Sequence, residues 1–132
     1  MTNPLTQPAM AGRVRSILRN LQASSTHIEA CAVVTLDGFL IASVMSDGVN
    51  ADRFAAMCAS LLTLASRAAK EIARGDLRQI ILDGSEGQML LTHAGDRGLL
   101  AVAGHPMAQL GKLILDARSA ARELAGLGGD PS

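Results

Sequence analysis

Residues 28–44 read IEACAVVTLDGFLIASV, which is two apolar, β-branched runs joined by an Asp-Gly pair. Such a pair between two such runs predicts a tight β-hairpin, because a two-residue turn of this kind needs positive φ at both central positions. We therefore predict two antiparallel strands, over residues 28–36 and 39–44, that meet at Asp37 and Gly38.

Helical periodicity flanks this hairpin on both sides. Before it, apolar residues recur every three or four positions and predict an amphipathic helix over about residues 8–23. After it, Asn50 is placed as the N-cap of a long helix over residues 51–74, which is expected to stop at Gly75. The residues expected on the core side of this long helix are Phe54, Met57, Cys58, Leu61, Leu64, Ala65, Ala68 and Ile72.

The second half of the chain predicts three short strands and a last helix. The strands are placed at about residues 77–83, 88–94 and 98–103, and Pro106 is expected to open the helix. Because the connections within each group of strands are short, neighbouring strands must run antiparallel. The predicted order is α-β-β-α-β-β-β-α, an α+β layered domain with a five-stranded antiparallel sheet and helices on both faces.

The number of helices leaves one face of this sheet incompletely covered. The runs Cys31–Val34 and Leu99–Val102 are continuously apolar, which is typical of central strands buried on both faces. Five strands make a sheet about 24 Å wide, whereas one helix covers only about 10–12 Å of it. With three helices, one face receives two and the other receives one. A second copy or another protein is therefore expected on the half-bare face.

Composition excludes several classes of function. The 132 residues suffice for one domain, with expected boundaries at a flexible arm over 1–8, a domain over 9–125 and a flexible tail over 126–132. The 12 basic and 12 acidic residues balance, so nothing provides the positive field that nucleic-acid binding requires. No apolar run approaches the roughly 20 residues of a transmembrane helix, and no signal peptide is visible. A cytoplasmic protein without membrane insertion is expected.

Patterns for catalysis or cofactor binding are absent or weak. Cys31 and Cys58 stand alone in apolar surroundings and are interpreted as buried thiols, with a disulfide as the less favoured alternative. Neither a G-x-S-x-G elbow nor a G-x-x-x-x-G-K-[ST] phosphate loop occurs, so no enzyme activity, cofactor or metal site is predicted. The polar residues considered and interpreted as surface, capping or turn residues are His27, His93, His105, Asp37, Asp47, Asp83, Ser24, Ser25 and Thr26.

Two segments carry a family resemblance. Residues 32–43 read AVVTLDGFLIAS, and residues 52–61 read DRFAAMCASL. In this order, a valine-rich strand, an Asp-Gly turn, a strand ending in Ala-Ser and a helix of small residues and Met resemble the Roadblock family of dynein light chains and its bacterial relatives. The resemblance extends over about residues 9–125. It implies a longin-like or profilin-like fold, homodimers and partnership with small Ras-like GTPases.

The resemblance also implies where contacts lie. Family dimers join through an edge strand, here about Leu77–Asp83, and through the long middle helix, near which GTPase partners dock. The residues expected at this interface are Ser60, Thr63, Arg67, Lys70 and Arg74 on the helix and Leu77, Gln79 and Ile81 on the strand. The alternative is an ordinary solvated face whose basic residues lie favourably near the helix C-terminus.

The expected function is therefore that of a non-catalytic dimeric regulator or scaffold. It would bind a small Ras-like GTPase and modulate its nucleotide cycle or localisation. Arg67, Arg74 and Arg97 are candidates for an arginine donated to the partner's active site, although binding is expected to be the main activity. The alternative is a profilin-like small-molecule sensor or adaptor domain, which would need an internal pocket with a few polar groups.

Overall fold

A computed structural model describes residues 3–25 and 27–127, and there it has three long helices around one five-stranded sheet. The helices are α1 (Pro8–Ser24), α2 (Ala51–Glu71) and α3 (Leu110–Leu127), and the strands are β1 (Ile28–Thr35), β2 (Leu40–Val44), β3 (Gln79–Gly84), β4 (Gly87–His93) and β5 (Gly98–Gly104). The strand order is β2-β1-β5-β4-β3, and all neighbours are antiparallel. The predicted fold class is confirmed. None of these helices combines the length and apolar character needed to cross a bilayer.

Two helices cover one face of the sheet, and one covers the other. On the first face, Leu18 of α1 and Leu124 of α3 are buried in one cluster with Val33 of β1. On the second face, Cys58 of α2 is buried in another cluster with Val34 of β1. The central strands β1 and β5 are buried on both sides, as their continuous apolar runs predict.

The turn between β1 and β2 differs from the predicted two-residue turn. Gly38 alone in this turn takes a positive φ, of +94°, and its amide donates to the Thr35 carbonyl at 3.0 Å. The Thr35 amide donates to the Phe39 carbonyl at 2.8 Å, which is the pattern of a three-residue loop closed by a glycine bulge. A Cβ at residue 38 would lie 3.2 Å from Ala56 Cα, so glycine lets this turn approach α2 closely.

The side of α2 that packs on the sheet matches the predicted one only in part: Cys58 is buried and Phe54 packs against the core as expected, but other predicted residues are exposed. Ala55, Cys58 and Leu62 face the sheet, whereas Met57 and Leu64 are 61% and 66% exposed. The helix carries two apolar stripes, and periodicity alone could not distinguish which of them is buried. The small side chains are buried because they allow the helix to approach the strands closely.

The C-terminal end of α2 also differs from the prediction. The helix ends at Glu71, and Gly75 is not its stop. Ala73 takes the left-handed conformation instead, with φ +57°. The amide of Arg74 donates to the Ala69 carbonyl at 2.7 Å, which closes the helix in the manner of a Schellman motif. Arg74, which was predicted on the helix, therefore lies in the turn that follows it.

Two other elements begin later than predicted. β3 starts at Gln79, two residues after the expected start of the strand. α3 starts at Leu110, and Pro106 lies in a turn before it rather than at its first position. The Ala108 amide donates to the His105 carbonyl at 2.8 Å in this turn. Because this turn occupies the positions at which Pro106 was expected to begin the helix, α3 starts later than predicted.

Both described ends pack against the domain more than expected. Leu5, in the predicted flexible arm, is buried in the core, and the side-chain amide of Asn3 donates to the Arg97 carbonyl at 3.1 Å. This part of the arm is therefore held in place. At the other end, α3 continues to Leu127, so the predicted tail begins inside the helix, and residues 128–132 lie outside the described residues.

The two cysteines are buried free thiols on opposite faces of the sheet. Cys31 lies on the face covered by α1 and α3, and Cys58 lies on the α2 side. Loss of hydration on burial raises the pKa of each thiol to about 11. The interpretation as buried hydrophobic residues is confirmed.

Candidate partner-binding site

α2 presents a second apolar stripe to solvent. Met57, Leu61, Leu64 and Ala68 recur at spacings of four, three and four residues. At 3.6 residues per turn, they lie about 140° around the helix from the side that faces the sheet. We call these four residues the outer stripe. Met57, Leu64 and Ala68 are exposed and Leu61 is half-buried, and an apolar row of this kind indicates a surface that another molecule covers.

The β3 edge of the sheet is open as well. β3 pairs with β4 on one side only, which leaves backbone donors and acceptors along its other side. Side chains alternate along the strand, so Ile80 and Leu82 face the α2 side, and Gln79 and Ile81 face the α3 side. Ile81 and Leu82 are both exposed. Leu77 precedes the strand and packs against the core on the α2 side.

The outer stripe and β3 border the same uncovered part of the sheet. Phe54 lies two turns before Leu61 on nearly the same line of α2. It packs on the same core cluster as Ile80 of β3 and Met89 of β4. α2 thus leaves this face open towards β3, which is the half-bare face that the helix count predicts.

The other flank of α2 forms a groove with the β1–β2 turn. Ser60, Thr63 and Arg67, three of the predicted interface residues, line it together with Leu36 and Asp37 of the turn. The groove has a volume of about 480 Å³ and mixes hydroxyls, one guanidinium and one carboxylate with apolar walls. We call it the α2–turn groove.

Phe39 adds an exposed aromatic ring to the same turn. Its side chain is 69% exposed, in a chain that has two phenylalanines and no tyrosine or tryptophan. Aromatic residues are enriched among the side chains that contribute most to protein interfaces. The sequence pattern placed Phe39 at the start of the second strand and did not mark it as an interface residue, although the scarcity of aromatic residues was a usable signal.

The remaining predicted interface residues lie elsewhere. Lys70 is exposed in the last turn of α2. Arg74 lines a separate open surface with Leu77 and Gln79, between the end of α2 and the start of β3. Arg97, the third arginine considered for donation to a partner, is half-buried in the β4–β5 turn. The predicted helical stripe is therefore divided between two surfaces.

Two of the three histidines considered lie close together. The His105 amide donates to the His27 carbonyl at 2.6 Å. His27 lines a cleft of about 260 Å³ at the start of α3 together with Lys112 and Asp116, which form an ion pair at 3.2 Å. His93 is exposed at the end of β4, away from this pair. This cleft was not predicted, because it depends on the turn that precedes α3.

The described residues form no metal-binding cluster of three or more His, Cys, Asp or Glu side chains. Asp37, Asp47 and Asp83 lie in the β1–β2 turn, in the loop before α2 and near the end of β3, respectively. Of the hydroxyls considered, Ser24 donates to the Leu21 carbonyl at 2.8 Å, and Ser25 accepts from the His27 amide at 3.2 Å. Both cap the junction between α1 and β1.

These features define a small α+β domain with an apolar helix surface and an open sheet edge. Comparison with known proteins gives its family: the Roadblock/LC7 domain matches residues 16–103, and the chain belongs to this family. The uncharacterized protein MJ1340 of Methanocaldococcus jannaschii is 33% identical over 97 residues, which cover 74% of this chain and 84% of that protein.

Solved structures share the fold at lower sequence identity. MglB of Myxococcus xanthus superposes with a TM-score of 0.84 at 19% identity, over 92% of this chain and 91% of that chain. An MglB with a tetrameric arrangement gives 0.84 at 20% identity, over 93% of each chain. Profilin IA of Acanthamoeba castellanii gives 0.64 at 17% identity, over 86% of this chain and 98% of that chain. The fold is therefore profilin-like, as predicted.

Proposed function

We propose that this chain is a non-catalytic, dimeric regulator that binds a small Ras-like GTPase and modulates its nucleotide cycle or localisation. Membership of the Roadblock/LC7 family supports this kind of partner. The observation that carries the proposal is that α2 has two outward surfaces, the outer stripe and the α2–turn groove, which meet at Leu64. One surface serves a second copy of the chain, and the other serves the GTPase.

The outer stripe and the β3 edge support a homodimer. Leaving apolar side chains such as Met57 and Leu64 in water forgoes about 25 cal/mol for each Å² that could be buried. Two copies that pair their β3 strands satisfy the open backbone groups of both edges and bring Leu82 of each copy under cover. Stable dimers bury roughly 800 Å² per partner, and these residues supply an apolar centre for such an interface.

The α2–turn groove supports the contact with the GTPase. It combines the apolar Leu36 with the polar Ser60, Thr63 and Arg67, beside the exposed ring of Phe39. Aromatic and arginine side chains surrounded by smaller polar groups are typical of non-obligate interfaces. Switch loops of small GTPases are ordered by the γ-phosphate, so a surface that docks on them distinguishes the two nucleotide states.

Binding to purified GTPases tests this function. The small Ras-like GTPases encoded in the same genome are loaded with a non-hydrolysable GTP analogue or with GDP, and their affinity for the chain is measured by biolayer interferometry. We expect one of them to bind in a nucleotide-dependent manner, and Phe39→Ala to weaken that binding about tenfold or more. Met107→Ala, an exposed residue beside α3, is the control and leaves binding unchanged. Absence of binding in both nucleotide states contradicts the proposal.

The Arg67→Ala variant distinguishes a binding role of this residue from the donation of an arginine to the GTPase active site. If Arg67 acts within the groove, Arg67→Ala weakens complex formation and any stimulated GTP hydrolysis in parallel. An arginine donated to the GTPase active site would instead leave the complex intact and remove the stimulation. That second result would contradict binding as the main activity.

A second candidate function rests on the cleft at the start of α3. It presents His27, Gln109, Lys112 and Asp116 around about 260 Å³, slightly less than the roughly 300–1,000 Å³ of most small-molecule sites. A sensor domain would hold a metabolite there. Native mass spectrometry of freshly purified protein would then show added mass that Lys112→Ala removes, whereas a bare chain mass contradicts the sensor function.

A further inference from the structure

The spacing of the outer stripe reads the same in both directions along α2. A two-fold contact between identical copies requires such self-complementarity, because residue i must face j while j faces i. If two α2 helices lie antiparallel about a centre between Leu61 and Leu64, Leu61 meets the partner subunit's Leu64, and Met57 meets the partner subunit's Ala68. The long side chain thus meets the short one at both ends, and the leucines meet in the middle.

This register also accounts for an exposed residue at the end of α2. Ile72 is 64% exposed on the single chain and lies on the side of the outer stripe nearer the sheet. The antiparallel arrangement brings it opposite the first turn of the second helix, where the partner subunit's Phe54 is half-buried. The apolar surface left open at one end of the helix is therefore matched at the other.

Opposite charges flank the outer stripe at its two ends. Arg53 in the first turn and Glu71 in the last turn lie five helical turns apart on one line of α2, about 50° from the centre of the outer stripe. About 27 Å of helix separates them, so they cannot pair within one chain. Both are exposed, and among the described residues neither belongs to an ion pair.

We infer that two symmetry-related Arg53–Glu71 ion pairs set the register of the proposed dimer, with its α2 helices antiparallel about a centre between Leu61 and Leu64. This inference rests on the homodimer proposed above and specifies which residues meet in it. The outer stripe supplies the contact area, and the paired charges disfavour a helix that is shifted by one turn or reversed. Such rim charges contribute more to register and partner choice than to affinity.

Charge reversals at Arg53 and at Glu71, made in separate variants, test the register. Arg53→Glu or Glu71→Arg alone turns both ion pairs into like-charge contacts, and we expect the dimer dissociation constant to rise about tenfold or more at low salt. The double variant restores opposite charges, and with them the affinity. A mixture of the two single variants forms both correct pairs only in heterodimers, so native mass spectrometry should show heterodimers well above the statistical half.

The matched control lies on the same helix. Asp52 and Lys70 are exposed and have the same five-turn separation, but they lie about 150° around the helix from the outer stripe. The Asp52→Lys and Lys70→Glu variants should each keep the wild-type dimer affinity. A mixture of the two should contain the statistical half of heterodimers. A wild-type dimer that Arg53→Glu does not weaken, or statistical mixing of the Arg53→Glu and Glu71→Arg variants, overturns this register while leaving the proposed dimer intact. A monomeric wild type contradicts the dimer itself. Circular dichroism checks that each variant is folded.

Discussion

At the end of α2, an alanine occupies a backbone conformation that favours glycine. Ala73 has φ +57°, which costs an L-residue about 1–2 kcal/mol. We expect Ala73→Gly to raise the free energy of unfolding by about 0.5–1 kcal/mol, since glycine's greater freedom in the unfolded chain offsets part of the gain. Urea unfolding at fixed protein concentration measures this. Ala69→Gly, within the helix, should lower stability by roughly 0.5–1 kcal/mol. Equal effects of the two substitutions would contradict the strain.

This residue shows what the sequence could not predict. Alanine favours the helix interior, so nothing in the local pattern marks Ala73 as the end of α2. Gly75 was the reasonable choice. By contrast, the N-cap at Asn50 was predicted correctly: its side-chain oxygen accepts from the Arg53 amide at 3.0 Å. A side chain that caps a helix leaves a local signal, whereas the end of α2 depends on how the chain turns towards β3.

The two buried thiols make stability depend on pH. The pKa of Cys31 and that of Cys58 rise from 9.0 to about 11 on burial, so the folded chain keeps both neutral over a range in which the unfolded chain ionises them. Stability is therefore fully present below pH 9 and falls as pH rises towards 11. We expect a loss of about 1–3 kcal/mol over this range, measured by urea unfolding. Because the chain has no tyrosine, no phenol group titrates in the same pH range as the thiols. A Cys31→Ala/Cys58→Ala double variant with an equally steep decline would contradict this cause.

Among the single elements, α2 carries most of the proposed dimer interface. We expect Leu64→Glu to place a charge at the centre of the outer stripe and to convert the dimer into a monomer, because an unpaired charge cannot be buried without a large desolvation cost. Analytical ultracentrifugation measures the change. Leu115→Glu on α3 is matched in exposure, at 68% against 66%, and should leave the dimer intact. If both variants dissociate equally, the outer stripe is not the interface.

Periodicity predicted the existence and type of each long element, but on the core side of α2 it placed Met57 and Leu64, which are exposed, together with Cys58, which is buried. The apolar residues of α1 face the core as expected, because that helix has one apolar stripe. In α2, Met57 and Leu64 belong to a helical repeat as regular as that of Cys58 and Leu62. Because their side chains are large and apolar, Met57 and Leu64 were wrongly assigned to the core. Burial against a sheet depends on close approach as well as on hydrophobicity, and that depends on the strands beneath.

At the scale of the whole molecule, a count of helices and strands predicted the half-bare face. Short turns required antiparallel neighbours, and three helices could not cover both faces of five strands. The α2–turn groove could not be predicted in this way. It exists because Gly38 lets the β1–β2 turn lie against Ala56, a contact between distant parts of the chain that no local pattern records.

We propose that one copy of this domain is incomplete and that a second copy covers its half-bare face. Multi-angle light scattering of the wild-type chain at micromolar concentration tests this proposal. A mass twice the 13.7 kDa of the single chain is expected. A single species at 13.7 kDa would contradict it.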